Sequence, residues 1–423
     1  MSELSQQIDR LDQEDVLAEF CARFVPDVLG VNYLDGNSLG RLSHDARAAI
    51  VSTIDDEWGN ELIRGWEHWT ELSSQLGETL GSQLLGAAPG QVVVSDSTSV
   101  NLYKAILSAL SLLPDRKVLV ADINDFPTDR FILEGIAASN GLELRLIASS
   151  MNEPVGPDEF APYLDDDVAV VVMSQVNYRS GALNDLARLA YVTHSVGALL
   201  VADLSHSVGA VPIALDADDV DFAVGCTYKY VNGGPGSPAF LYARERLQSE
   251  LTQPIWGWFS AADQFQMGLR YEPVPGIGRF LVGTPPVLQL AALKGALGVV
   301  CDAGIERIRQ KSVIQTELAI ELFDAHLAPQ GFRLASPRDP AKRGGHVTFE
   351  HSEALSFSSV HSSRSQLRKR HNPLSFSSSL FSDHRVLVDY RVPNRIRFAP
   401  SPLYTSFAQV YEGVMALSKL AAR

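Results

Sequence analysis

The stretch Asp221-Phe-Ala-Val-Gly-Cys-Thr-Tyr-Lys-Tyr-Val-Asn-Gly-Gly-Pro-Gly-Ser237 places one lysine, Lys229, between an apolar run and a glycine-rich turn. A short apolar run without polar alternation is typical of a strand buried on both faces of a parallel sheet. The run therefore predicts a buried strand over 221–226, with Lys229 just beyond its carboxyl end. A lysine before a turn is commonly a solvated charge, so Lys229 needs support from its surroundings.

Six further apolar runs have the same character and alternate with longer helical patterns. They are Val92–Ser95, Lys117–Ala121, Leu142–Ile147, Val168–Ser174, Ala198–Asp203 and Ala239–Tyr242. This alternation predicts an α/β fold with a mostly parallel, seven-stranded sheet covered by helices. In open sheets of this kind ligands bind beyond the carboxyl ends of the strands, which is where Asp203 falls.

Lys229 and Asp203 together predict a cofactor. A lysine amine forms a Schiff base with a carbonyl such as that of pyridoxal 5'-phosphate. An aspartate at a strand end can keep the pyridine nitrogen of that cofactor protonated, as its chemistry requires. Alone, Asp203 is equally well explained as a helix cap or turn residue, so the prediction depends on the pair.

The segment Val94-Ser-Asp-Ser-Thr-Ser-Val-Asn101 follows the first predicted strand and opens a helical pattern over 102–113. A helix N-terminus offers free backbone N–H groups and a favourable dipole to an anion, and the hydroxyls of Ser97 and Thr98 add donors. The segment therefore indicates a phosphate site. The alternative is a Ser/Thr helix cap without a ligand.

Composition narrows the class of protein. The chain has 423 residues and a formal net charge of −15, which argues against nucleic acid or an anionic membrane as a partner. The sequence has no apolar run of the ~20 residues that a membrane-spanning helix requires, and no signal pattern at its start, so we expect a cytoplasmic protein. Three scattered cysteines and the histidine spacing predict neither disulfides nor a metal site.

Eight motifs, in order along nearly the whole chain, resemble those of kynureninases, which are pyridoxal-phosphate-dependent enzymes of the aspartate-aminotransferase-like fold type I. The motifs are Tyr33–Gly40, Glu57–Asn60, Leu62–Trp66, Phe126–Asp129, Asp203–His206, Cys226–Ser237, Gly257–Phe259 and Pro402–Tyr404. The resemblance implies the fold type I architecture, with a large domain over 61–300 and a smaller α+β domain over 301–423. Residues 1–60 would contribute to the small domain and to a dimer interface.

The resemblance also implies roles around the cofactor. Lys229 would carry it, Asp203 would hold its ring nitrogen, and Tyr228 would contact the phosphate and pass protons. The remaining cofactor contacts would come from Ser97, Thr98, Phe126, Asp129 and His206, with Trp258 and Thr284 supplied by the neighbouring subunit of a homodimer with shared sites. Core packing for Phe126, and hydrogen bonding without a ligand for His206, are the ordinary alternatives.

For the substrate, the resemblance places Arg397 on the α-carboxylate, which suits the bidentate fork of an arginine. Arg395, two positions earlier, is the residue most easily confused with it, and surface salt bridging is the usual role of arginine. Ser38 and Trp66 are candidates for the aromatic end of the substrate pocket.

The implied reaction is hydrolysis of the Cβ–Cγ bond of L-kynurenine, or of its 3-hydroxy form, to anthranilate or 3-hydroxyanthranilate and L-alanine, in tryptophan catabolism and NAD biosynthesis. Two alternatives remain open. A cysteine desulfurase of the same fold would need a reactive cysteine on a loop near the site, and neither Cys226 nor Cys301 suits that role. A catalytically impaired pyridoxal-phosphate-binding homologue is the other.

One segment departs from the family pattern. Residues 352–382 are crowded with serine, include four basic residues, and show no apolar stripe of helical period, where a kynureninase carries a short amphipathic helix. This composition favours a mobile insertion, or an altered reading of the gene, over a packed element. A basic docking patch is the less favoured interpretation, because a short charge run is usually only solvated.

Overall fold

The computed structural model describes residues 3–351 and 374–422. The strands in this part of the chain are β1 Asn32–Tyr33, β2 Val92–Val94, β3 Val118–Asp122, β4 Glu143–Ile147, β5 Val168–Ser174, β6 Leu199–Asp203, β7 Phe222–Gly225, β8 Phe240–Ala243, β9 Arg333–Leu334, β10 Val347–Glu350, β11 Val386–Leu387, β12 Asp389–Arg391 and β13 Arg395–Phe398.

The α-helices in the same residues are α1 Glu3–Gln13, α2 His44–Ser52, α3 Trp66–Trp69, α4 Leu72–Leu80, α5 Thr98–Leu112, α6 Pro127–Asn140, α7 Pro157–Phe160, α8 Leu186–Ser195, α9 Glu245–Gln248, α10 Val287–Ala303, α11 Ile305–Leu322, α12 Leu374–His384 and α13 Phe407–Ala421. The 3₁₀ and π-helical segments in the same residues include Thr53–Glu61, which continues α2, and the separate turns Trp258–Ser260 and Gly276–Phe280.

The large sheet has seven strands in the order β2-β8-β7-β6-β5-β3-β4. The pairs among β7, β6, β5, β3 and β4 are parallel, and β8 runs antiparallel to both of its neighbours, β2 and β7. The prediction of a mostly parallel seven-stranded sheet is confirmed, and each predicted strand lies within two residues of the observed one at either end.

Both faces of this sheet are buried, which explains the unbroken apolar runs. On β2, Val92 and Val94 point into one hydrophobic core, while Val93 between them points into another. Helices α4, α8 and α10 cover the first face, and α5 and α6 cover the second. Alternate residues of a strand face opposite sides, so a strand with helices on both sides must be apolar throughout.

A second, smaller sheet is antiparallel, with the order β12-β13-β10-β9. The N-terminal residues join this region, because β1 pairs in parallel with β11 and α1 packs against α13. Ile8 and Leu34 lie in the same hydrophobic core as the residues of α11 and α13. The fold class is therefore fold type I with a smaller α+β region, as predicted.

Part of the interpretation of residues 352–382 is wrong. Residues 374–382 belong to helix α12, which packs against α13 and β11 with Leu380 completely buried. The helix mixes four apolar residues with five serines and has only a weak amphipathic pattern, so a search for an apolar stripe misses it. The rest of the predicted mobile segment, 352–373, lies outside the described residues.

Helices α10 and α11 follow each other directly, joined at Gly304. Among residues 3–351 and 374–422, no single helix is long and apolar enough to cross a membrane. The segments Val287–Ala303 and Ile305–Gln330 pass that test only when taken together, and they are bent by 77° at their junction.

Candidate active site

Polar side chains lie at the carboxyl ends of five strands of the large sheet. Segments following the carboxyl ends of β2, β3, β5, β6 and β7 enclose a cavity of about 250 Å³. Its lining residues are Asn37, Ser38, Ser97, Thr98, Ser99, Phe126, Thr128, Asp129, Ser174, Tyr178, Asp203, Ser205, His206, Tyr228, Lys229 and Arg391. The cavity lies where ligands bind in open α/β sheets.

The loop after β7 holds Lys229 rigidly. Buried Thr227 shares hydrogen bonds of 2.6 Å with the Ser237 hydroxyl and the Pro238 carbonyl, which closes the loop at its base. Asn232, with φ of +61°, turns the chain back. The backbone therefore brings Tyr228 and Lys229 to the same cavity, although neighbouring residues of an extended strand would face opposite ways.

The N-terminal segment closes on this loop from the other side. The Gly40 N–H donates to the Tyr228 carbonyl at 2.8 Å. A Cβ at Gly40 would lie 2.4 Å from the Lys229 carbonyl oxygen and 2.3 Å from Oδ1 of Asn232. Only glycine permits this approach of two backbones, so the motif around Ser38 and Gly40 is held against the Lys229 loop.

Lys229 and His206 are in direct contact. The Nζ of Lys229 lies 3.0 Å from Nε2 of His206. Burial, and then the charges of Lys229 and Arg397, lower the pKa of His206 well below its usual range. The imidazole is therefore neutral, and with its proton on Nδ1 it accepts a hydrogen bond from Lys229 through Nε2. This bond fixes the direction of the lysine amine.

Asp203 ends β6 and is part of a buried group of carboxyls. Its Oδ1 accepts from the Ser205 N–H at 2.8 Å. Asp129, in the first turn of α6, hydrogen-bonds Asp203, and burial followed by the charge of Asp203 raises the pKa of Asp129 well above its usual range. Burial and Asp122 also raise the pKa of Asp125 to about 8. Asp129 and Asp125 therefore hold their protons at neutral pH, beside Asp203.

The N-terminus of α5 opens on the cavity. Ser97 is the cap residue, accepting from the Val100 N–H at 3.4 Å, and Thr98 and Ser99 follow it in the lining. Behind them, buried Lys104 pairs with Asp96 at 2.7 Å. The site thus combines hydroxyls with a helix N-terminus, which suit a phosphate, while the charge of Lys104 is paired with Asp96.

Two aromatic side chains border the same space. Phe126 caps α6, is 38% exposed, and meets Tyr178 edge-on with ring centroids 5.1 Å apart. Tyr228 lies beside Lys229, and burial raises the pKa of its phenol. The face of Phe126 is available to a planar ring, and Tyr228 stays protonated over the whole neutral range.

Arg397 does not itself line the cavity. It is completely buried, is ion-paired with Asp389, and donates to the Tyr178 carbonyl and, at 3.1 Å, to the hydroxyl of Ser38. Ser38 stands between Arg397 and the cavity. Arg395 is directed elsewhere, with Glu350 at 3.3 Å and Asn152 at 2.9 Å.

Three predicted residues lie away from the cavity. Trp66 packs edge-on against Trp69, with ring centroids 5.3 Å apart, beside a hydrophobic core. Trp258 is partly exposed and donates to the Gln264 carbonyl at 2.6 Å, and Thr284 is exposed. Nine of the predicted site residues, Ser38 among them, therefore line the cavity together, and these three do not.

Sequence reasoning missed several residues of the site. Arg391 lines the cavity. The sequence feature that could have revealed it is the alternation of Asp389 and Arg391 on one strand. Asn37 is also in the lining, completely buried, and no described residue bonds its amide nitrogen or oxygen. His346 lies behind the cavity with its ring 5.7 Å from that of His206. Nothing in the local sequence marks His346, because its position depends on how the two sheets meet.

The cavity fits pyridoxal phosphate by the chemistry of its donors. An amine, a carboxylate, an exposed aromatic face and a hydroxyl-rich helix N-terminus surround one space, and the buried Nδ1 of His206 has no partner among the described residues. No group of three or more histidine, cysteine or acidic residues in the described ranges could hold a metal ion. The donor set therefore suits an anionic, aldehyde-bearing heterocycle.

The fold and the site together are those of the class-V aminotransferases. Residues 75–363 match the family described as Aminotransferase class-V, and residues 358–417 match the Kynureninase C-terminal domain. Kynureninase from Pseudomonas fluorescens is 40% identical over 98% of this chain and 94% of its own length. Kynureninase from Burkholderia pseudomallei is 37% identical, covering 96% and 93%. The chain belongs to the kynureninase family.

Solved structures agree on the fold. A cysteine desulfurase from Thermococcus onnurineus superposes with a TM-score of 0.79 at 18% identity, covering 96% of this chain and 98% of its own. A cysteine desulfurase from Escherichia coli gives a TM-score of 0.78 at 17% identity over 96% and 98%. At this identity the likeness shows the fold alone.

Proposed function

We propose that this chain uses pyridoxal 5'-phosphate to hydrolyse the Cβ–Cγ bond of L-kynurenine, or its 3-hydroxy form, to L-alanine and anthranilate or 3-hydroxyanthranilate. The observation that carries the proposal is the meeting of Lys229 and Asp203 at one cavity, in a chain of the kynureninase family. This reaction would belong to tryptophan catabolism and NAD biosynthesis.

When bound, pyridoxal phosphate supplies an electron sink for negative charge developing on the substrate. Asp203, at the end of β6 beside Asp125 and Asp129, would hold the proton at the ring nitrogen. Ser97, Thr98 and the N-terminus of α5 would bind the phosphate, and Phe126 would pack against the ring. These residues fix the cofactor at both ends.

Lys229 has two tasks. It would hold the cofactor through its Nζ, and as a free amine, once the substrate amine has replaced it, it would take the proton from the substrate Cα as a general base. The hydrogen bond to neutral His206 at 3.0 Å aims the amine. Tyr228, kept protonated by burial, lines the same cavity and would pass protons during the reaction. Arg397, reached past Ser38, binds the substrate α-carboxylate.

The desulfurase alternative finds no support in the cysteines. The described cavity lining contains none of the three. Cys226 is buried, and burial raises the pKa of its thiol. Burial likewise raises the pKa of Cys301 to about 11. A thiol held in its protonated form is a poor nucleophile.

The shared-site homodimer is part of the proposal. Large apolar side chains are exposed around Trp258, namely Trp256, Phe265, Met267 and Leu269, and others at Trp58, Leu62 and Ile63. Exposed apolar groups concentrated in two segments are typical of a surface that another protein chain covers. Exposed Trp258 and Thr284 would complete the phosphate site of the partner. A cytoplasmic location, and the domain division at residues 60 and 300, are likewise proposals.

The test is a direct assay. Purified protein is mixed with pyridoxal phosphate and either L-kynurenine or 3-hydroxy-L-kynurenine, and the fluorescence of the aromatic product is followed. We expect release of anthranilate or its 3-hydroxy form with an equal amount of L-alanine. Absence of both products with both substrates, in protein that binds the cofactor, contradicts the proposal. Sulfide release from L-cysteine would favour the desulfurase alternative.

A further inference from the structure

Asp389 stands between two arginines at the substrate end of the cavity. Its Oδ2 accepts from Nε of Arg391 at 2.9 Å, and the same oxygen pairs with Nη2 of Arg397. Arg397 is completely buried, whereas Arg391 is partly exposed and lines the cavity. One carboxylate oxygen thus serves a buried guanidinium and one that reaches the ligand space.

The donors of Arg397 are only partly available. Nη1 donates to the Tyr178 carbonyl, Nη2 is shared between Ser38 and Asp389, and Nε has no partner within the described residues. A carboxylate binds an arginine most strongly through two parallel N–H donors. Asp389 already occupies Nη2, so an incoming carboxylate cannot make the full two-point contact while Asp389 remains there.

We propose that the substrate α-carboxylate exchanges with Asp389 on Arg397, and that Asp389 stays paired with Arg391 when it leaves. This inference rests on the proposed function, since it assigns Arg397 to the substrate. Before binding, Asp389 neutralises a buried charge that would otherwise be costly. Asp389, once displaced from Arg397, stays paired with Arg391, while the substrate carboxylate pairs with Arg397. No charge is therefore left unpaired at any stage.

The exchange has a consequence for specificity. Every α-carboxylate that binds must compete with Asp389, whereas a ligand with a neutral amide in that position leaves the Asp389–Arg397 pair intact. Removing the Asp389 charge should therefore strengthen the preference for a carboxylate. If Asp389 only orients Arg397, its removal should weaken that preference, which is the opposite sign.

The experiment compares L-alanine with L-alaninamide, which differ at the carboxylate. Each is titrated into the holoenzyme at one pH, and the dissociation constant is taken from the change in the visible absorption of the bound cofactor. The preference is the ratio of the amide constant to the alanine constant. For Asp389→Asn we expect this ratio to rise about tenfold over wild type. An unchanged or lower ratio overturns the proposal.

A second variant keeps the test decisive where Asp389→Asn folds poorly. Arg391→Gln deprives Asp389 of its other partner, so Asp389 should hold Arg397 more tightly and the ratio should fall; a rise overturns the proposal. Glu350→Gln is the matched control, because Glu350 pairs with Arg395 on the same sheet at 3.3 Å, and it should keep the wild-type ratio. A change of ratio in this control equal to that of Asp389→Asn also overturns the proposal.

The wild-type titration decides between two kinds of failure. A wild-type holoenzyme with no saturable response to L-alanine overturns the exchange. Kynurenine hydrolysis is measured separately, so the proposed function can fail while the preference ratio still reports on Asp389. Conversely, normal hydrolysis together with an unchanged preference ratio in Asp389→Asn contradicts the exchange and leaves the proposed function standing.

Discussion

The carboxyl group of Asp129 hydrogen-bonds that of Asp203 in the cavity wall, and the pKa of Asp129 is raised by burial and by the charge of Asp203. Two buried carboxyls in contact cannot both ionise at neutral pH without a large cost. Asp129 therefore keeps its proton and can donate it to Asp203. Two residues of the same type therefore have different tasks.

This division predicts unequal effects of two similar changes. Asp203→Asn removes the carboxyl group that would hold the proton of the ring nitrogen, and we expect kcat to fall by a factor of at least about 10². In Asp129→Asn the amide N–H₂ can still donate to Asp203, so kcat should fall less than about tenfold. Steady-state rates at saturating cofactor measure both. Equal losses in the two variants would show that the carboxyls are equivalent.

Lys229→Ala should abolish the reaction. The variant lacks both the amine that binds the cofactor and the base for the Cα proton, and general base catalysis alone is worth about 10² to 10⁴ in rate. We expect no visible absorption from a covalently held cofactor and no anthranilate release. Lys117→Ala, at the opposite end of β3, is the control and should behave as wild type. Normal turnover by Lys229→Ala would reject the assignment.

The close approach at Gly40 predicts that a larger residue at this position weakens cofactor binding. In Gly40→Ala the new Cβ would lie 2.4 Å from the Lys229 carbonyl oxygen, so the Lys229 loop must shift. We expect weaker cofactor binding and a loss of about 1–3 kcal/mol in the free energy of unfolding.

Gly135→Ala provides the comparison. Gly135 lies within α6 with no atom within 4 Å of the added Cβ, so its replacement should raise the free energy of unfolding by up to about 1 kcal/mol. Cofactor titration and urea unfolding of both variants test the pair. Similar behaviour of the two would exclude a steric role for Gly40.

The buried Asp125 predicts a pH dependence of stability. Its pKa is raised from 3.8 to about 8, so the folded protein keeps a proton that the unfolded chain loses. Between about pH 4 and 8 the free energy of unfolding should fall as pH rises, by up to about 1.4 kcal/mol per pH unit from this group, and level off above pH 8. The groups facing Asp125 are Asp122, Asp203 and the backbone N–H of Ser174.

Asp125→Asn keeps the acceptor for the Ser174 N–H and removes the titration. Urea unfolding of the apoprotein at several pH values should therefore show a shallower decline in the variant than in wild type. Parallel curves would mean that Asp125 titrates normally in the folded protein.

Shared sites predict complementation between inactive variants. A mixed dimer of Lys229→Ala with Trp258→Ala has one site with both defects and one with neither. After dissociation and reassociation of an equimolar mixture, half of the dimers are mixed, and activity should recover to about a quarter of wild type per dimer. Activity no greater than the average of the two variants alone would place Trp258 outside the partner's site.

The sequence by itself determined the seven strands of the large sheet and the residues that follow them. Unbroken apolar runs mark strands buried on both faces, and the order of strands and helices fixes which polar residues lie at their carboxyl ends. The amino-acid sequence alone therefore places Lys229, Asp203, Ser97 and Phe126 at one edge of the sheet. This information is local, and local periodicity survives in a single sequence.

Only the tertiary structure decided the substrate end of the cavity and the docking of helix α12. Arg397 meets Ser38 across 359 residues of chain, and the register of β12 on β13 brings Asp389 opposite Arg397. Arg391, His346 and the burial of Leu380 depend on the same long-range packing. Such contacts follow from how the two sheets and the N-terminal segment fit together, and no short stretch of sequence encodes that fit.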